Sequence, residues 1–219
     1  MKTLESLVSG RLQAVLFDFD GTLVDSVPDL AASVDATLQQ FGLAAVGQAQ
    51  VRDWVGRGAW RLVEQACEGQ LEQAQISDAY EWFLQHYAQQ CAVNPVLFDG
   101  VAEGLAQIQA QVPTALVTNK PIAFTRTMLA SLGLKFDCVL GGDSVPNKKP
   151  DPEMLLVACR ELNVSPADCV MIGDSSADSG AARAAGMPVA LFSQGYNHGQ
   201  AVELAQPDLI YHAFKELLV

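Results

Sequence analysis

The sequence is short of positive charge. Its 219 residues include 13 lysines and arginines against 25 aspartates and glutamates, which gives a net charge of −12 at pH 7. This balance argues against non-specific binding to nucleic acid and against attraction to anionic membrane surfaces, so we expect neither partner. Any anion must be bound at a local positive site.

Paired cysteines and long apolar runs are also absent. The five cysteines are an odd number and contain no Cys-x-x-Cys pair, so the pattern indicates neither a disulfide framework nor a zinc cluster. The chain has no apolar run of about 18 residues and no N-terminal signal pattern. We therefore expect a cytoplasmic protein in a reducing compartment.

The apolar pattern predicts an α/β fold with an insertion. A short apolar run at 14–17 is typical of a strand buried on both faces. Residues 25–94 show only helical patterns, whereas strands and helices alternate from residue 95 onward. That alternation predicts a parallel sheet with helices on both faces. We predict a Rossmann-like, doubly wound parallel sheet core in residues 1–24 and 95–219, with an all-helical cap domain inserted at 25–94.

The later part of the chain contains eight further predicted elements. The predicted strands are 114–118, 138–140, 170–172, 189–192 and 209–211. The predicted helices between them are 121–132, 152–162 and 176–185.

Two carboxylates follow the first predicted strand. Asp18 and Asp20 lie on one side of an extended segment, where a parallel strand opens into a crevice. Such close acids favour a hard cation such as Mg²⁺. Gly21 permits a tight turn, in which its N–H and that of Thr22 could face an anion. The alternative interpretation is a surface Asp-Gly turn, and a calcium loop fits less well because its later ligands are missing.

Three later segments place polar groups at predicted strand and helix ends. Thr118 and Asn119 end a strand before a helix, an arrangement that suits phosphate but also ordinary helix capping. Lys148 and Lys149 precede a helix within a proline-bounded loop, although a solvated lysine pair is the simpler interpretation. A fourth segment ends a buried strand and places two acids four residues apart, facing one ion or complementing the helix dipole. These acids are Asp174 and Asp178.

The segment Asp18–Ser26, DFDGTLVDS, resembles the first motif of the haloacid dehalogenase-like hydrolase superfamily. The segments around Thr118, Lys149 and Asp174 resemble its second, third and fourth motifs, in the family's order. The resemblance implies that Asp18 attacks phosphorus to form an aspartyl phosphate, while Asp20 acts as general acid and base. It also implies phosphate binding and Mg²⁺ coordination. The phosphate-binding residues would be Thr118 and Lys149, with Gly21, Thr22 and Asn119, and the metal site would use Asp18, Asp174, Asp178 and the backbone carbonyl of Asp20.

Two further segments are similar to those of phosphoglycolate phosphatases. They are Asp53-Trp-Val-Gly-Arg-Gly-Ala59 and Gly195-Tyr-Asn-His-Gly199, and Arg57 stands where the cap motif usually carries Asn. The resemblance implies a small phosphorylated metabolite as substrate, most simply 2-phosphoglycolate. Arg57 is the candidate to bind its carboxylate, with a merely exposed arginine as the alternative.

Other functions remain open at this stage. A phosphatase for a sugar phosphate such as N-acetylmuramate 6-phosphate, or a sugar phosphomutase, would share the acid pair. A non-enzymatic phosphoprotein-binding module would keep the site without turnover. The sequence assigns no role to His198.

Overall fold

The computed structural model describes residues 3–93 and 95–218. Asn94, which the sequence analysis places at the second boundary of the insertion, lies outside the described residues. A six-stranded sheet of parallel strands, in the order β5-β4-β1-β6-β7-β8, forms the centre of the molecule. The strands are β1 (Ala14–Phe17), β4 (Thr114–Val117), β5 (Cys138–Leu140), β6 (Cys169–Gly173), β7 (Val189–Phe192) and β8 (Leu209–Tyr211). The predicted fold class is confirmed, and the predicted strand ends are correct to within one residue.

Strand β1 is buried on both sides because helices cover both faces of the sheet. Val15 and Phe17 pack into one hydrophobic core, whereas Ala14 and Leu16 pack into the other. This alternation is what an extended chain requires. The helices that follow the insertion are α5 (Val101–Gln109), α6 (Ile122–Leu132), α7 (Glu153–Leu162) and α8 (Ser176–Ala185).

Four helices lie between β2 (Val24–Asp25) and β3 (Val96–Leu97), and we call them the inserted helices. They are α1 (Val27–Gln40), α2 (Gly47–Trp54), α3 (Ala59–Cys67) and α4 (Gln73–Gln90). Helix α1 packs against α2, α3 and α4, and their apolar residues join the core on one face of the sheet. None of the helices in the described residues is long and apolar enough to cross a bilayer.

The chain enters and leaves the inserted helices through a short antiparallel ribbon. Val24 pairs with Leu97, and Asp25 pairs with Val96. The prediction of a strand-free segment from residue 25 is therefore wrong at its first residue. Two-residue strands carry too little pattern to be recognised in sequence, because their pairing depends on a partner about 70 residues away.

Candidate active site

The carboxyl ends of three neighbouring strands bring the predicted acids together. Strand β1 pairs in parallel with β4 on one side and with β6 on the other. Asp18 follows β1, Thr118 follows β4, and Asp174 follows β6. Parallel strands end at the same edge, which is where open α/β sheets bind their ligands.

Three buried carboxylates form one cluster at this edge. One oxygen from each of Asp18, Asp174 and Asp178 lies within 4.8 Å of the other two. The Lys149 Nζ is 2.9 Å from Asp18 Oδ1 and 2.7 Å from Asp178 Oδ1. Lys149 is buried, whereas the adjacent Lys148 is exposed. The structure thus distinguishes the two lysines by burial, and the phosphate contact predicted for Lys149 stays a prediction.

The pKa values of the three acids shift in different directions, because among the described residues one cation, Lys149, contacts the cluster and touches two of its acids. Burial raises the pKa of Asp18 to about 7, against the opposing effect of Lys149. Burial, followed by the nearby charges of Asp178 and Asp18, raises the pKa of Asp174 well above its ordinary value. Burial also acts to raise the pKa of Asp178, but the Lys149 charge and hydrogen bond outweigh it and hold that pKa below its ordinary value.

The donor set fits a hard divalent cation. Three carboxylates share one lysine, so the cluster has a net negative charge when all three are ionised. Carboxylate oxygens are also preferred ligands of Mg²⁺. Asp178 has a second role, because its Oδ2 accepts hydrogen bonds from the Asp174 N–H and from the Ser175 N–H and hydroxyl. It therefore completes the capping box of α8 as well.

Asp20 lies outside this cluster and pairs with a different lysine. Its carboxylate oxygens are 3.1 and 3.2 Å from the Nζ of Lys120. The same Nζ donates a 2.6 Å hydrogen bond to the Tyr87 hydroxyl of α4. Burial lowers the pKa of Lys120, but Asp20 and Tyr87 outweigh it and hold that pKa above its ordinary value. The metal role predicted for the Asp20 backbone carbonyl stays a prediction.

Lys120 is a residue whose importance the sequence analysis missed. It directly follows the predicted phosphate-binding pair Thr118 and Asn119. A lysine at a strand end in a strongly acidic chain was the available signal. Its contact with α4 was not predictable, because Tyr87 belongs to a stripe of residues that predicts only packing between helices.

The turn after Asp20 differs from the prediction in its hydrogen bonds. The Gly21 N–H donates to the Val24 carbonyl at 2.9 Å, and the Thr22 N–H donates to the Phe19 carbonyl at 3.3 Å. Both amides are thus used within the turn, so the prediction that they face an anion is wrong in this conformation. Gly21 is still required, because its φ is +83° and a Cβ there would collide with the Asp174 carboxylate.

Asn119 connects loops and has its side-chain groups occupied. Its amide nitrogen donates to the carbonyls of Gly56 and Lys149 at 2.8 and 2.9 Å. Its amide oxygen accepts the Lys149 N–H at 3.0 Å. The Asn119 side chain therefore positions the Lys149 loop, and the phosphate contact predicted for this residue stays a prediction. Thr118 is buried in the cavity wall beside Asp18 and Asp20.

The segment at 195–199 links the acid cluster to the inserted helices. The Tyr196 N–H donates to Asp174 Oδ2 at 2.7 Å, and the Thr22 hydroxyl donates to Asp174 Oδ1 at 3.1 Å. Arg52 of α2 donates to the carbonyls of Gln194 and Gly195 at 2.8 and 3.1 Å. Asp174 is thus held by two loops, one of which contacts the insertion.

Arg57 lies away from the cavity beside Asp20. It is exposed and lines an outer opening with Arg61, Lys149 and His198. The cavity that contains Asp20 holds about 30 Å³, and the lysine that lines it is Lys120. Its apolar walls come mainly from the inserted helices and α6. They are formed by Leu30, Val55, Ala59, Leu62, Phe83, Pro121 and Phe124.

Comparison with known proteins identifies the family. Residues 15–192 match the family model described as haloacid dehalogenase-like hydrolase. The chain belongs to this family. A phosphoglycolate phosphatase from Colwellia psychrerythraea is 40% identical over 94% of this chain and 96% of its own length. The phosphoglycolate phosphatase of Escherichia coli K12 is 37% identical over 94% and 91%.

A solved structure agrees with this assignment. A crystal structure described as a predicted phosphoglycolate phosphatase from Haemophilus somnus 129pt has a TM-score of 0.89 and 31% sequence identity to this chain. The match covers 96% of this chain and 98% of the chain in the crystal structure. The resemblance found in the sequence motifs is therefore confirmed, and the chain is a hydrolase of the haloacid dehalogenase-like family.

Proposed function

We propose that this protein is a Mg²⁺-dependent phosphatase that hydrolyses 2-phosphoglycolate to glycolate and phosphate. The observation that carries the proposal is the buried cluster of Asp18, Asp174 and Asp178, with Lys149 in contact with two of its acids. The names of the similar proteins support the choice of substrate. A cytoplasmic location is part of the proposal and agrees with five free cysteines.

In the first half-reaction Asp18 attacks phosphorus. Lys149 and the Phe19 N–H both contact Asp18 Oδ1, so we assign the attack to Oδ2. A bond forms between this oxygen and phosphorus while the ester P–O bond breaks. Asp20 gives its proton to the departing alcohol oxygen. The products are glycolate and an aspartyl phosphate on Asp18.

In the second half-reaction Asp20 takes a proton from water, whose oxygen attacks phosphorus and releases phosphate and free Asp18. Lys149 and Thr118 bind the phosphate oxygens throughout. Asp18, Asp174 and Asp178 would hold Mg²⁺, which supplies positive charge against the repulsion between a carboxylate nucleophile and a phosphate dianion. Tyr196 and Thr22 keep Asp174 oriented through their hydrogen bonds.

The size of the cavity favours a small leaving group. About 30 Å³ is available beside Asp20 in this arrangement of the inserted helices. The same space must also hold the phosphate group, and a two-carbon alcohol adds fewer atoms to it than a sugar does. A sugar phosphate or phosphomutase reaction would need the inserted helices to move apart.

The test measures phosphate release from a panel of esters with Mg²⁺ and with a chelator. The proposal expects 2-phosphoglycolate to exceed N-acetylmuramate 6-phosphate at least tenfold in kcat/KM, and it expects activity to vanish with the chelator and return with Mg²⁺. A preference for the sugar phosphate would overturn the substrate but keep the phosphatase. No release from any ester would favour a binding module.

The nucleophile is tested in the same assay. Asp18→Asn should retain less than a few per cent of activity, because an amide cannot attack phosphorus, while its circular dichroism spectrum should stay unchanged. Asp78→Asn, at an exposed position of α4, is the matched control and should behave as the unmodified protein. Substantial turnover by Asp18→Asn would assign the nucleophile elsewhere.

A further inference from the structure

The proposed reaction leaves one part of the substrate without a partner. In 2-phosphoglycolate the carboxylate is attached to the carbon that carries the ester oxygen. A group that binds this carboxylate must therefore lie close to the acid that protonates that oxygen. Burying an unpaired carboxylate is strongly unfavourable, so a cation at this place would stabilise it.

Lys120 meets this requirement. Its Nζ lies 3.1 Å from Asp20 Oδ1, and its side chain is almost fully buried at the cavity wall. The nearby walls from the inserted helices are apolar. Among the described residues that line this cavity, Lys120 provides the positive charge.

Arg57 does not lie close enough to Asp20 in this structure to bind the substrate carboxylate. Its neighbours at the outer opening are Arg61 and His198, and it lines a different cavity from Asp20. Gly56 and Gly58, on either side of it, do line the Asp20 cavity. The backbone of this loop therefore reaches the site while the arginine side chain points elsewhere.

Tyr87 fixes the position of the ammonium group. The Lys120 Nζ donates to the Tyr87 hydroxyl at 2.6 Å and lies 4.8 Å from the centroid of the Tyr87 ring. Tyr87 stacks on Phe83 and packs edge-on against Phe124. A cation held in this way is already oriented when the substrate arrives, which reduces the entropic cost of binding.

Building on the proposed function, we infer that Lys120 determines specificity by binding a carboxylate adjacent to the phosphorylated carbon. The ligand class is a short 2-phosphonooxy carboxylate. Tyr87 places this selection under the control of α4, because the ammonium group is oriented only when that helix is docked. Lys120 remains in contact with Asp20, so the substrate carboxylate and the general acid share one cation.

The experiment compares two substrates that differ at the carboxylate alone. 2-Phosphoglycolate carries the carboxylate, whereas 2-hydroxyethyl phosphate replaces it with an uncharged CH₂OH and keeps a two-carbon alkyl leaving group. The quantity measured is the ratio of their kcat/KM values. Lys120→Met should lower this ratio about 10- to 100-fold, the range of a charged hydrogen bond, chiefly by raising KM for 2-phosphoglycolate.

Matched variants separate this role from other roles. Lys148→Met, at the exposed lysine, should leave the ratio unchanged. Lys120→Gln is a second neutral variant that can still hydrogen-bond Tyr87 and Asp20, so it tests the inference if Lys120→Met does not fold. Lys120→Arg keeps the charge and should restore part of the ratio.

Three outcomes would overturn the inference. If neutral variants lose equal activity on both alkyl esters but keep activity on p-nitrophenyl phosphate, whose leaving group needs no acid, Lys120 only positions Asp20. If the ratio stays unchanged in the variants, another group binds the carboxylate. If the unmodified protein hydrolyses esters without preferring 2-phosphoglycolate, the proposed substrate fails together with the inference, whereas the first two outcomes leave the proposed function intact.

Discussion

At the scale of single residues, the lysine pair at 148 and 149 gives the sharpest contrast. Lys149 contacts two acids of the cluster, whereas its neighbour is exposed. We expect Lys149→Met to reduce kcat/KM at least about 100-fold, since loss of one preorganised electrostatic group typically costs about 3–4 kcal/mol in the transition state. Lys148→Met is the control and should change it less than about threefold. Steady-state phosphate release from 2-phosphoglycolate measures both variants.

The same lysine pair shows that a local sequence motif can select one of two adjacent residues. The position of Lys149 directly before a proline in a family-like motif was sufficient to select it over Lys148. Asn119 was less predictable, because an amide at a strand end is equally suited to phosphate and to backbone groups. Only the approach of the Gly56 and Lys149 loops shows that the side-chain amide contacts backbone carbonyls. Sequence patterns identify such polar groups well but do not specify long-range hydrogen bonds.

At the scale of elements, the loop after β7 packs closely against the acid cluster at Gly195. A Cβ at this position would collide with Asp174. We expect Gly195→Ala to displace the Asp174 carboxylate and to raise the Mg²⁺ concentration needed for half-maximal activity about tenfold or more. Gly10→Ala, where a Cβ would meet only the Asp168 side chain at 3.1 Å, is the matched control. Equal Mg²⁺ dependence in the two variants would contradict the close packing inferred for this loop.

We expect His198 of the same loop to make the stability of the fold depend on pH. Burial, followed by the charge of Arg57, lowers the pKa of His198 from 6.5. Below pH 6.5 the unfolded chain therefore binds more protons than the folded one, so this contribution is present above that pH and is lost as the pH falls. Urea unfolding at pH 7.5 and 5.5 should show a smaller loss of stability for His198→Gln than for the unmodified protein. An equal loss in both proteins would mean that groups other than His198 cause the pH dependence of stability.

Elements with strong periodicity were predictable, and short ones were not. The helices α6, α7 and α8 and the strands β5, β7 and β8 begin and end within one residue of their predicted limits, because each carries a complete apolar pattern and its own start or stop signals. The ribbon of β2 and β3 carries no such signal. Its residues pair because the two connections of the insertion run side by side.

At the scale of the whole molecule, an acidic protein must attract an anionic substrate. The net charge of −12 repels phosphate esters at long range, whereas Arg57, Arg61, Lys149 and His198 line an opening beside the acid cluster. We expect Arg57→Gln to lower kcat/KM for 2-phosphoglycolate about two- to fivefold at 20 mM salt and little at 300 mM, where screening is strong. Stopped-flow or steady-state assays across this salt range measure the effect.

A control variant tests whether the effect of Arg57 depends on its position at the opening. Arg160→Gln removes the same charge at an exposed position of α7 and should leave the salt dependence unchanged. If Arg57→Gln changes kcat instead, and does so at all salt concentrations, the residue acts on the docking of the α2–α3 loop and not on attraction of the substrate.

The ribbon of β2 and β3 has a consequence for how this protein and its relatives diverge. The inserted helices leave the sheet and return to it at a single point, so a change in their length or packing need not alter the path of the chain on either side. Strands β1, β4 and β6 pair with one another directly, and Asp18, Thr118 and Asp174 follow them. Natural selection can therefore exchange the inserted helices as a module while the strands that carry the acids are inherited unchanged.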